Sequence, residues 1–126
     1  ILLIADAIEA SMLKDLYQLA VELGLHVLIE THNLDHLKWI SDLRPGIVGV
    51  NCRDLAKMET NINWFGDIAT DLLPSSIWIA ESGIKSHSDL EYIYKLGFHV
   101  ALIGGHLMKS EDPGVALAEL TQRVVK

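Results

Sequence analysis

The chain has 126 residues, half of them apolar, with 17 acidic side chains against 10 basic ones and a formal net charge of −7. That size supports one domain, residues 1–126, with a real core, and the negative charge argues against nucleic acid or an anionic membrane as partner. A single cysteine, Cys52, excludes an internal disulfide and fits a reducing cytoplasm, while no apolar run approaches the ~18 residues of a membrane helix.

Ile1-Leu2-Leu3-Ile4 reads as the inside of a buried strand without an initiator methionine, so a piece of a longer protein is expected. Further strand-like apolar runs begin near His26, Ile47, Ile77 and Val100. Helical stripes separate them. Leu13, Leu16, Tyr17, Leu19, Ala20 and Leu23 form the first, and Leu34, Leu37, Trp39 and Ile40 the second. Phe65, Ile68, Ala69, Leu72 and Leu73 form the third, and Leu90, Ile93, Tyr94 and Leu96 the fourth. The fifth holds Val115, Leu117, Ala118, Leu120 and Val124. Gly24 and Gly97 suit left-handed helix ends. Ser86 with Asp89 resembles a capping box, and Asp112-Pro113 is an N-cap followed by proline at the first helical position.

Strands alternating with helices imply a parallel α/β sheet. Five units of about 25 residues fall short of the ~250 residues of a closed (βα)8 barrel. The expected architecture is therefore a partial TIM barrel, with an open doubly wound sheet as the alternative. The barrel is favoured because polar residues gather at nearly every strand's C-terminal end, whereas an open sheet concentrates them at one switch point.

Those ends carry the chemistry. They are Glu30-Thr31-His32, Asn51-Cys52-Arg53-Asp54, Glu81-Ser82-Gly83 and Gly104-Gly105. In a barrel they converge on one mouth holding carboxylates, an amide, a guanidinium and glycine-lined turns fit for a phosphate. A carboxylate crowded by others in a partly dry pocket has its pKa tuned for proton transfer.

The runs VLIETH, GIVGVNCRDL, IAESGI and ALIGGHLMKSEDP, in order and with family spacing, resemble indole-3-glycerol phosphate synthase. The resemblance spans essentially the whole chain and covers that family's fourth strand to its eighth helix. It implies closure of the indole ring of 1-(2-carboxyphenylamino)-1-deoxyribulose 5-phosphate with loss of carbon dioxide and water. It implies Glu30 as general base, Asn51 as a substrate contact that orders the polar network, and Glu81 as a substrate-binding and orienting acid. Ser82 and Gly83 match the first half of the phosphate site, and Gly104 and Gly105 the second. Gly105 stands where many members have serine, which removes a hydroxyl donor. Arg53 matches an arginine of the same network. No cofactor is implied. The family's general-acid lysine belongs to strands outside this chain, so the 126 residues alone are expected to be inactive.

Plainer readings stand beside these. Glu30 and Glu81 read equally as surface carboxylates, the glycines as ordinary turns, and Arg53 as a solvated charge paired with Asp54. Cys52 reads as an inert buried thiol. His32 and His36, spaced four apart, lack a third ligand, so no metal site is assigned. His106 reads as exposed, and Trp39, Trp64 and Trp78 as packing. Two other functions remain open: another phosphate-binding TIM-barrel enzyme, or a non-catalytic half-barrel that self-associates through open sheet edges.

Overall fold

The structure, a computed structural model, describes residues 1–54 and 59–122. Val124 of the fifth stripe and Leu55 of the NCRDL run lie outside the described residues. Strands β1 (Leu2–Ile4), β2 (Leu28–Thr31), β3 (Ile47–Asn51), β6 (Ile77–Glu81) and β7 (Val100–Leu102) form one sheet in that order. Every neighbouring pair is parallel. Spatial order follows chain order without reversal, so the sheet has no switch point, which removes the doubly wound alternative. The fold is a partial TIM-barrel-like α/β sheet.

Helices α1 (Ala10–Glu22), α2 (Leu34–Asp42), α3 (Trp64–Ile68), α4 (His87–Lys95) and α6 (Pro113–Thr121) provide the crossovers and the final cover. Their ends follow the expected chemistry. Asn33 caps α2 by accepting from the Asp35 amide. Ser86 and Asp89 form the full capping box of α4. The Asp112 carboxylate accepts from the Gly114 and Val115 amides at the start of α6. Gly24 and Gly97 adopt φ of +74° and +97°, where a side chain is strained.

Sheet register divides the side chains into two faces. Ile29, Val48 and Trp78 align across β2, β3 and β6, as do Thr31, Val50 and Ala80. All six are buried under the helices. The Trp78 indole N–H donates to the Leu73 carbonyl at 2.9 Å, so this large side chain is buried without an orphaned polar atom. The opposite, inner face carries Leu2, Ile77, Val100 and Leu102, each 43–54% exposed. An apolar inner face open to solvent is what an unclosed barrel presents.

Several expectations are corrected. The second strand begins at Leu28 rather than near His26, because residues 25–27 lack ladder pairing. Leu16, Leu19 and Leu23 are exposed, leaving Leu13 and Ala20 to bury α1. Leu72 and Leu73 lie beyond α3, which ends in a 3-10 turn at Ala69–Asp71. In α6, Ala116 and Leu120 face the core while Val115 and Leu117 are exposed. The tryptophans pack as expected: Trp78 lies in the core, and half-buried Trp39 and Trp64 pack against it. The structure adds an antiparallel ribbon, β4 (Arg53–Asp54) with β5 (Glu59–Thr60), and a short α5 (Gly105–Met108).

Candidate active site

The inner face is built in layers, because parallel partners point the same way and alternate residues share a face. Glu30 of β2 pairs with Gly49 of β3. Two residues further up, Asn51 of β3 pairs with Glu81 of β6. The register therefore places Glu30, Gly49, Asn51 and Glu81 on one surface in two adjacent layers.

Asn51 Nδ2 donates to Glu30 Oε1 at 2.9 Å. The Asn51 side-chain oxygen accepts from the Arg53 amide at 3.0 Å. The amide orientation is thus fixed from both ends. His32, in the turn before α2 and not on the helix with His36, donates from Nδ1 to the Asn51 carbonyl at 2.6 Å. It also stacks on Trp64, ring centroids 4.6 Å apart. Asp6, after β1, accepts from the His32 amide at 2.7 Å and lies 3.1 Å from His36 Nδ1. These contacts tie the ends of β1, β2 and β3 together beneath the site.

Glu81 is 3% exposed, and its Oε1 has no hydrogen-bond partner among the described residues. Burial first, then the Glu30 charge, then hydrogen-bonding contact with Glu30 push its carboxyl up to about 8. Two ionised carboxylates offer no donor to each other. A proton on Glu81 would convert the contact into a hydrogen bond, which is why burial beside Glu30 raises the Glu81 carboxyl.

Above this pair opens a cavity of about 670 Å³. Its lining includes Asn51, Arg53, Glu81, Ser82, Gly83, Gly104 and Gly105, all expected at the site. Glu30 does not line it; the register sets this residue one layer beneath. Arg53 is half-buried, and its Nε has no hydrogen-bond partner among the described residues. The expected pairing of Arg53 with Asp54 rests on a side chain outside the described residues.

Ser82 and Gly83 both have positive φ, +69° and +73°. This is a costly conformation for serine, and it turns the chain sharply off β6. A Cβ on Gly83 would lie 2.7 Å from Cys52 Sγ and 2.8 Å from Thr60 Cγ2, so the ribbon packs directly on this turn. Beside Gly104 and Gly105 an added Cβ would meet nothing, which leaves the backbone there open to the cavity. Burial pushes the Cys52 thiol up to about 11, as an inert thiol requires.

Seven lining residues were not among the expected site residues, and three of these carry nitrogen bases. Lys85, Lys109 and a half-buried His106 line it with Arg53. Basic groups thus collect at one hollow of a chain whose net charge is −7. The available signal was position, since each of the three lies within four residues of the Ser82-Gly83 or Gly104-Gly105 turn.

The Glu81 pairing has a thermodynamic consequence. The folded chain keeps a proton that the unfolded chain releases above a pH of about 4.5. Stability from this group is complete below that pH and is lost as the pH rises to about 8. The expected loss is on the order of 5 kcal/mol over that interval, at ~1.4 kcal/mol per unit. Urea unfolding at pH 5 and 8.5 should show it, and Glu81→Gln should flatten the dependence. An equally steep decline in the Gln variant would refute the pairing.

Among solved structures the chain is similar to a 3-hexulose-6-phosphate synthase, with a TM-score of 0.74 at 16% identity over 96% of this chain and 59% of that one. It is also similar to a thiamine phosphate pyrophosphorylase from Pyrococcus furiosus, with a TM-score of 0.68 at 14% identity over 96% and 56%. At such identities the likeness concerns fold alone. In sequence, the chain is 37% identical to an indole-3-glycerol phosphate synthase of Staphylococcus saprophyticus over 97% of its own length and 49% of that protein. It is 40% identical to one of Leifsonia xyli over 94% and 45%. The chain spans about half the length of the curated relatives it matches. The family model for indole-3-glycerol phosphate synthase matches residues 1–120, and the chain belongs to that family.

Proposed function

We propose that this chain supplies part of the active site of an indole-3-glycerol phosphate synthase, a carbon–carbon lyase of tryptophan biosynthesis. The substrate is 1-(2-carboxyphenylamino)-1-deoxyribulose 5-phosphate. One observation carries the reading: a single cavity has a carboxyl and amide floor at one side and a basic, glycine-lined hollow at the other. That polarity matches a substrate whose reacting end exchanges protons and whose far end is a phosphate.

In this reading Ser82, Gly83, Gly104 and Gly105 take the phosphate through backbone amides, with Lys85 and Lys109 adding charge and His106 a hydrogen-bonding ring. The Arg53 Nε, without a partner among the described residues, is a donor for an anionic group of the substrate. Asn51 is locked between Glu30 and the Arg53 amide, so it presents a fixed amide edge. Ring closure with loss of carbon dioxide leaves a hydroxyl that departs as water, and a base must remove a proton as it goes. Glu30 is that base. Glu81 holds its carboxyl beside Glu30 and orients the substrate above. No cofactor is invoked, and the one free, buried cysteine fits a cytoplasmic location.

The test is an assay of the full-length protein with this substrate, followed by indole fluorescence. Turnover is expected with saturation by substrate and competition by inorganic phosphate. Absence of indole product from folded, full-length protein would exclude the reading and leave another phosphorylated-sugar reaction in the same cavity.

A further inference from the structure

Gly49 sits in the middle of β3, between Glu30 of β2 and Ile79 of β6 in register. The same inner layer continues to Ile4 of β1 and Val100 of β7. Every other member of this layer has a sizeable side chain, so Gly49 leaves a gap in it. The gap is filled from above. A Cβ on Gly49 would lie 2.0 Å from Glu81 Oε1, 3.1 Å from Glu81 Cδ and 3.0 Å from Leu28 Cδ1. Gly49 is not among the residues with positive φ, so its backbone does not call for glycine. The space it leaves is what matters.

We propose that Gly49 is a positioning residue: its missing side chain admits the Glu81 carboxyl into the inner layer of the sheet and holds it against Glu30. A carboxyl at a strand end next to an open cavity would otherwise reach up to water, where its solvation is complete. Here it turns down, is almost fully buried, and leaves Oε1 without a donor among the described residues. Such a placement persists only where the volume is reserved for it and a neighbour shares its proton. The groups that face Glu81 are Glu30 from β2, Asn51 from β3 and, around the cavity, Arg53, Lys85, His106 and Lys109. The charged Arg53, Lys85 and Lys109 lower a carboxyl's proton affinity, so they do not account for its retention of a proton. Burial does, together with the Glu30 charge. The consequence for turnover rests on the synthase reading; the pairing itself does not.

The experiment follows the Glu81 carboxyl carbon by NMR against pH in the full-length protein, with Gly49→Ala beside the wild type. The alanine methyl should expel the carboxyl, and the Glu81 midpoint should fall from about 8 toward 4.5, the ordinary value. The alkaline limb of the kcat/KM profile, set by loss of the Glu81 proton, should move with it. An unchanged midpoint in a folded Gly49→Ala protein would overturn the proposal. Should that variant fail to fold, the Glu81→Ala background decides. There the methyl meets no carboxyl, so Gly49→Ala should fold with little loss in thermal midpoint. An equal loss in both backgrounds assigns Gly49 to backbone packing and refutes the role. A shifted midpoint in a protein that makes no indole product would instead retain the pairing and discard the synthase reading.

Discussion

Glu30→Gln in the full-length protein is expected to lower kcat about 10²–10⁴-fold, with KM little changed. The substitution separates charge from shape. Asn51 Nδ2 donates to Glu30 Oε1 at 2.9 Å, and a glutamine oxygen at that place still accepts. The floor of the cavity therefore keeps its geometry, and what disappears is the proposed base. A second consequence is measurable without substrate. The Glu30 charge is the second cause of the raised Glu81 carboxyl, after burial. With that charge gone, Glu81 should titrate below 8 yet remain above the ordinary range, because burial persists. Glu30→Ala would be a blunter probe, since it also frees the Asn51 amide. A Glu30→Gln enzyme within a few fold of wild-type kcat would remove Glu30 from proton transfer.

The strands were legible because parallel strands buried on both faces read as near-continuous apolar runs. Caps were legible because Ser86, Asp89 and Asp112 act on amides within three residues of themselves. The apolar stripes were less faithful. Periodicity shows which positions favour burial but not what covers them, and Leu16, Leu19 and Leu23 lie on the helix that follows the edge strand β1. The ribbon β4–β5 was invisible, since Arg53-Asp54 and Glu59-Thr60 carry no apolar alternation. At the site, Asn51, Glu81 and the glycine turns came together as the motifs implied. Their depth did not follow from sequence. That Glu30 lies a layer below the cavity, and that Gly49 makes room for Glu81, depends on register across three strands. A sequence shows a glycine inside a strand only as a weak point. His106 was read as exposed because its neighbours in sequence are loop residues, while its neighbours in space are the cavity walls.

The 126-residue polypeptide on its own is expected to give no synthase turnover, a loss at least as large as that of the general base. In the proposed reading the chain supplies base, amide and phosphate hollow, but the family's general-acid lysine lies on strands outside it. Lys85 and Lys109 do not replace that lysine, because they sit with the glycine turns at the phosphate end of the cavity. A missing, positioned acid alone costs ~10²–10⁴-fold. Water is the second obstacle. Leu2, Ile77, Val100 and Leu102 leave the inner face exposed, so the reacting end of a bound substrate would stay solvated. The same apolar face, flanked by the unpaired edges of β1 and β7, is expected to drive self-association. Sedimentation should show assembly that rises with concentration, and the remaining strands of the barrel, supplied in trans, should suppress it and restore indole fluorescence. Product from the 126-residue polypeptide alone in a single-turnover assay would place the acid within these residues, with Glu81, protonated at neutral pH, as the candidate.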